Sequence, residues 1–276
     1  MRFSTILPAA ILAATTAMPA LAQDTAPPEP ITISGSASVA SDYRFRGVSQ
    51  TDKNVAVQGG ITIAHESGVY IGTWGSNLAG WGTFGGANLE LDLIAGYKKT
   101  FGTATVDAGV TWYTYPGGAD ETDVVEFYGK LSGTAGPATL TAGAFYAPKQ
   151  TSLSRAFASA TPLVPGSGKR DDNIYLSGDA VGAVPNTPLT LKAHIGYSDG
   201  NPGLGPNGTS LSPTGSYWDW SVGTDFTYKN LTLGVAYVDT DISNAEAAYI
   251  TPNFSKTTNG SPIAASTVVV SLTAAF

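Results

Sequence analysis

The stretch PLTLKAHIGYS, residues 188–198, puts Leu189, Leu191, Ala193, Ile195 and Tyr197 on one side of an extended chain. Thr190, Lys192, His194, Gly196 and Ser198 fall on the other, because successive side chains of a strand point to opposite faces. The same period of two recurs along the whole chain. In NLELDLIAGYK, Leu89, Leu91, Leu93, Ala95 and Tyr97 oppose Glu90, Asp92 and Lys98. In YWDWSVGTDFTY, Trp218, Trp220, Val222, Phe226 and Tyr228 oppose Asp219 and Asp225. Helical periodicity is nearly absent, so the alternation predicts an all-β chain. Candidate strands cover residues 31–45, 54–65, 69–79, 87–98, 103–115, 123–133, 137–147, 172–182, 188–198, 216–228, 231–241 and 265–276.

The links between these strands come in two kinds. ESG, KTFG, GTAG, GAVPNTP and KN follow every second strand and are short. Links at the other end are mostly longer, and three run over about 148–171, 199–215 and 242–264. Short turns at one end and long loops at the other are the pattern of a transmembrane antiparallel barrel, with about 12 strands here. In that pattern the short turns are periplasmic and the long loops extracellular.

Alternation alone does not say which face is outside, and a soluble sandwich or barrel would alternate too. Charge decides. Only 13% of residues are charged, about half the share usual for a globular protein, too few for a soluble surface. Aromatic residues gather near strand ends, as interfacial girdles require: Tyr43, Phe45, Tyr97, Trp112, Tyr146, Tyr197, Trp218, Trp220, Tyr228 and Tyr237. The last segment, STVVVSLTAAF, alternates Val268, Val270, Leu272, Ala274 and Phe276 against a smaller face. A strand closing on an aromatic resembles the signal read by the barrel-insertion machinery, an expected partner alongside outer-membrane lipid.

At the other end, Arg2, an apolar run and Ala20-Leu21-Ala22 read as a signal peptide over residues 1–22. Residues 23–30 read as a short proline-rich linker and 31–276 as the barrel domain. No later run is long and apolar enough for a membrane helix. Loss of the leader leaves 13 basic and 21 acidic residues, a net charge of −8, which argues against nucleic acid as a partner. There is no cysteine, so no disulfide framework and no cysteine zinc site.

Within a barrel, parity sends Arg44, Arg46, Glu90, Asp92, Lys192, His194, Asp219 and Asp225 to the lumen, together with Asp107, Glu126, Lys130 and Asp179. Tyr43 and Phe45 are then expected to face lipid, with Arg44 and Arg46 opposite Glu90 and Asp92 across the lumen mouth. Such a lining either sets the selectivity of a water path or fills it with ion pairs. Loop 148–171 is a candidate for folding inward. His65 sits beside a short turn, His194 faces inward, and no G-x-S-x-G occurs, so catalytic chemistry finds little support. GLGPNG at 203–208 has no helix after it, and DTDIS at 239–243 lacks the glycine and final acid of a calcium loop. No cofactor is expected.

SASVASDYRFRGVSQTDKNVAVQGGITIAHESGVYIGTWGSN, residues 36–77, resembles the opening of the TorF-type porin family of proteobacteria. LELDLIAGYKKTFG and VEFYGKLS extend the likeness. The resemblance implies a barrel in the Gram-negative bacterial outer membrane and a role in transport, with no established substrate. The reading is a porin-like channel for passive diffusion of small hydrophilic solutes. A closed structural or surface-interaction barrel with a plugged lumen is the alternative, and an outer-membrane lipid hydrolase a weaker third.

Overall fold

A computed structural model describes residues 30–154, 172–204, 209–249 and 254–276. The expected signal peptide, nearly all of the linker and most of loop 148–171 lie outside the described residues. The strands are β1 (Ile31–Ala40), β2 (Arg44–Phe45), β3 (Val48–Ser49), β4 (Ala56–His65) and β5 (Val69–Asn77). Then follow β6 (Leu89–Phe101), β7 (Ala104–Thr114), β8 (Val124–Ala135), β9 (Ala138–Ala147) and β10 (Asn173–Ala183). Last come β11 (Leu189–Gly200), β12 (Ser216–Tyr228), β13 (Leu231–Thr240) and β14 (Thr267–Ala275), with a short helix α1 (Asn244–Tyr249) between the final two.

All but β2 and β3 join one closed barrel of twelve antiparallel strands. Each strand pairs with its chain neighbours. The ring is sealed where β1 meets β14, from Ser36 opposite Ala275 to Ala40 opposite Ser271. Closure leaves no long exposed sheet edge, which is how an all-β chain satisfies its backbone without solvent on its flanks.

The barrel is inside-out. Leu191, Ile195, Val222, Leu233, Val268 and Leu272 project outward and are all more than two-fifths exposed. Glu90, Asp92, Glu126, Asp219 and Asp225 point inward and are buried. An apolar exterior of this extent suits hydrocarbon rather than water. Aromatic side chains border it at both ends. Trp112, Tyr146, Trp218 and Tyr237 are exposed toward the long loops, and Tyr97, Phe101, Tyr228 and Phe276 toward the short turns. Trp218 and Tyr228 lie on one strand, roughly 34 Å apart along it at the usual rise. Tilted by about 40–45°, that span is ~25 Å deep, the height of a barrel's apolar band.

The first expected strand is cut short. It was expected to run through residue 45, yet β1 ends at Ala40 because Asp42 gathers the chain into a tight lobe. Its carboxylate accepts from Ser49 Oγ at 2.6 Å, Thr51 Oγ1 at 3.1 Å and Arg44 Nε at 2.6 Å. Arg46 (φ +47°) and Gly47 (φ +80°) make the turn of the β2–β3 hairpin. Tyr43 and Phe45 therefore do not face lipid: Tyr43 is buried and Phe45 packs on the same interior cluster.

That cluster fills the long-loop half of the barrel. Tyr43 and Val48 come from the lobe, Trp81 and Phe84 from the β5–β6 link, and Tyr115 from β7–β8. Leu153, Leu211, Phe254 and Ile263 come from the remaining long links. Trp81 meets Phe254 edge-on at 4.7 Å, and Phe84 meets Tyr115 at 5.1 Å. Of loop 148–171, named as a candidate for folding inward, the described part does so through Leu153, and it shares the interior with residues 41–55.

Candidate functional site

The lumen divides at the lobe. Beneath it lies a cavity of about 210 Å³, bounded above by residues Tyr43–Gly47 and reaching Thr232 and Thr273 near the short turns. Between these limits its wall carries Lys130, Asp179, Lys192, His194, Asp219 and Asp225. Each is an inward position of β8, β10, β11 or β12, set there by the alternation that puts Leu, Ile and Trp outside.

The charges are matched at close range. Lys192 Nζ stands 2.7 Å from Asp225 Oδ1, its partner one strand away. His194 presents Nδ1 to Asp179 Oδ1 at 2.7 Å and Nε2 to Asp219 Oδ1 at 3.1 Å. Tyr175 donates to Asp219 Oδ2 at 3.0 Å and its hydroxyl touches His194 Nε2 at 2.8 Å. Both histidine nitrogens are thus engaged by neighbouring side chains. Lys130 Nζ lies 4.9 Å from the Tyr128 ring centroid, and Tyr70 donates to Asp107 Oδ1 at 2.6 Å while also contacting Tyr128.

Arg46 spans the barrel. Its Nη2 lies 2.6 Å from Glu126 Oε1, with both side chains 1% exposed. The guanidinium carbon stands 4.1 Å from the ring centroid of Tyr175 and 4.9 Å from that of Phe45. Tyr113 donates to the other oxygen of Glu126 at 3.0 Å. Arg44 turns back instead, to Asp42 and to the carbonyls of Gly47 and Ile263.

The expected pairing of Arg44 and Arg46 with Glu90 and Asp92 is therefore replaced. Glu90 accepts from the Tyr43 hydroxyl at 3.1 Å, and Asp92 Oδ1 is a buried oxygen with no hydrogen-bond partner among the described residues. Burial first, then the carboxylates of Glu90 and Asp92, push the Tyr43 hydroxyl well above its ordinary pKa, so it stays a donor. Of the eight residues, Glu90, Asp92, Lys192, His194, Asp219 and Asp225 sit at inward positions of the barrel wall, and Arg44 and Arg46 sit on the lobe. The tyrosines Tyr43, Tyr70, Tyr113, Tyr128 and Tyr175 were not foreseen there. Parity held the signal for three of them, since Tyr113 shares a face with Asp107, Tyr128 with Lys130, and Tyr175 with Asp179. None was read as belonging to the lining.

His65 keeps the role of a turn residue, with Nδ1 2.9 Å from Ser67 Oγ. Asp239 and Asp241, in the stretch weighed as a calcium loop, accept from Tyr237, Thr240 and Trp218.

The sequence profile of a bacterial family spans residues 24–276, nearly the whole chain. The chain belongs to that family. Its description is a bacterial protein of unknown function (Gcw_chp). No curated protein sequence matches. Among solved structures, the chain is similar to a protein from a study of in-meso crystallisation of membrane proteins, with a TM-score of 0.50 and 10% identity over 88% of this chain and 83% of that one. An outer-membrane channel from Pseudomonas putida F1 aligns with a TM-score of 0.46 and 11% identity, covering 91% and 96%. A porin aligns with a TM-score of 0.41 and 11% identity, covering 89% and 100%. Likeness at such identities concerns the architecture alone. This Gcw_chp chain is a transmembrane antiparallel barrel of twelve strands.

Proposed function

We propose that the protein sits in the bacterial outer membrane and lets small hydrophilic solutes pass passively along its lumen, which its own first loop narrows. The reading rests above all on the 210 Å³ cavity walled by paired charges inside an apolar-faced barrel. Twelve strands leave more interior than the eight that pack solid and less than the sixteen of a wide pore. Closely matched charges along the wall stabilise polar solutes without strong preference for either sign. The likeness of residues 36–77 to the TorF-type porin family supports the same reading. Phe276, at the end of β14, is suited to recognition by the barrel-insertion machinery.

The test is single-channel recording of refolded protein in planar bilayers across several salts. Small discrete current steps with a reversal potential near zero in a potassium chloride gradient support the channel. A second reading, a closed barrel that presents its loops to a partner, draws on the packed long-loop half. It predicts silence from protein that is demonstrably folded and inserted.

A further inference from the structure

We infer that residues 42–53 are a displaceable stopper, latched shut by Arg46 on Glu126, and that release of this latch opens the lumen. The inference rests on the channel reading above and concerns its regulation.

The lobe is built to move as one piece. Asp42 ties Arg44, Ser49 and Thr51 together, Tyr43 N donates to Thr51 Oγ1 at 3.0 Å, and Gln50 N donates to the Tyr43 carbonyl at 2.8 Å. Its two attachments to the barrel are Ala40 and Ala56, which are register partners on neighbouring strands. A lobe leaving and re-entering at one point can swing without breaking any pairing between barrel strands, and only its own Thr51–Ala79 bridge has to part.

Its contacts fall on three sides, the first being β5–β6, where Ala79 N donates to the Gln50 carbonyl at 3.0 Å and the Tyr43 hydroxyl donates to Glu90 at 3.1 Å. On the attached side it joins the β13–β14 loop through Arg44 Nη1 to the Ile263 carbonyl at 2.7 Å, and through the amide of Thr257 to Asp52 at 2.9 Å. Across the lumen it reaches the far wall through Arg46 to Glu126 on β8 and over the Tyr175 ring on β10.

The far contact joins an ion pair to the edge-on packing of Phe45 against Tyr113 at 5.8 Å, and the ion pair is its switchable part. Two charges withdrawn from water hold a gap less firmly than apolar side chains of similar volume would. They regain their hydration as soon as they separate. An apolar plug has no such compensation in water. Rehydration of both charges offsets part of the cost of parting such a pair, which makes it a suitable element for a gate. Arg46 also holds a left-handed backbone conformation, φ +47°, that a non-glycine residue adopts only when its surroundings impose it.

The test compares five proteins in planar bilayers, each checked for folding by heat-modifiable migration and far-UV circular dichroism. They are wild type, Arg46→Ala, Arg46→Lys, Glu126→Gln, and a deletion replacing residues 42–53 by two glycines. The expected result is at least a tenfold rise in time-averaged current for Arg46→Ala and Glu126→Gln, approaching the deletion, with Arg46→Lys closer to wild type. If the deletion conducts and the point variants behave like wild type, the latch is wrong and the channel stands. If the folded deletion is silent as well, the latch and the channel reading fall together.

Discussion

Inside this barrel a side chain's partner matters more than its position. Lys192 and Asp225 are 18% and 2% exposed in their 2.7 Å pair. Lys192→Met strips that contact from a buried carboxylate. The expected loss is about 3 kcal/mol, the lower end of what breaking a buried pair costs. Urea titration of the protein folded into lipid vesicles measures it, and Lys192→Met combined with Asp225→Leu should recover most of the loss. Parity made both residues legible as lumen-facing, because each sits among outward Leu, Ala or Phe at every second place. Partner choice was not legible. Arg46 and Glu126 are joined across the lumen from widely separated parts of the chain, and nothing local to either distinguishes Glu126 from Glu90 or Asp92 as the match. Tyr43 and Phe45 misled for a related reason. An aromatic near a strand end reads as part of a girdle, and only the distant hydroxyls of Ser49 and Thr51 on Asp42 turn that segment inward.

The strands themselves were the most readable level, since twelve alternating runs became twelve barrel strands. The ends were harder to place, because each is set by what the following link does. Residues 80–82 and 84–86 form short 3-10 turns that carry Trp81 and Phe84 into the interior, and α1 interrupts the last long link. These depend on tertiary packing rather than on any periodic signal. The β1–β14 seam has its own constraint. A Cβ on Gly35 would lie 2.7 Å from the Phe276 ring and 2.8 Å from the Gly60 carbonyl. Gly35→Val should therefore displace the terminal aromatic and destabilise the fold by about 1–3 kcal/mol, the usual cost of overpacking. The readouts are a lower urea midpoint and slower membrane insertion, whereas Gly129→Ala, where nothing lies within 4 Å, should change neither.

For the whole molecule, the inside-out arrangement makes the sharpest prediction, because it ties cost to depth. Val222→Arg, midway along the outward face of β12, should destabilise the inserted barrel by about 2–4 kcal/mol. Tyr228→Arg, at the short-turn border of the same face, should cost only about 0–1 kcal/mol. Equal penalties measured in lipid vesicles would contradict the placement of the apolar band between the two girdles. The seam carries a further implication for biogenesis. Because the first and last strands of the ring are each other's neighbours, no stretch of the chain short of the whole ring can hide its own hydrogen-bonding flanks. A polypeptide interrupted before β14 would keep two unpaired borders and a greasy outer wall, so it should be a preferred target for holdases and proteases.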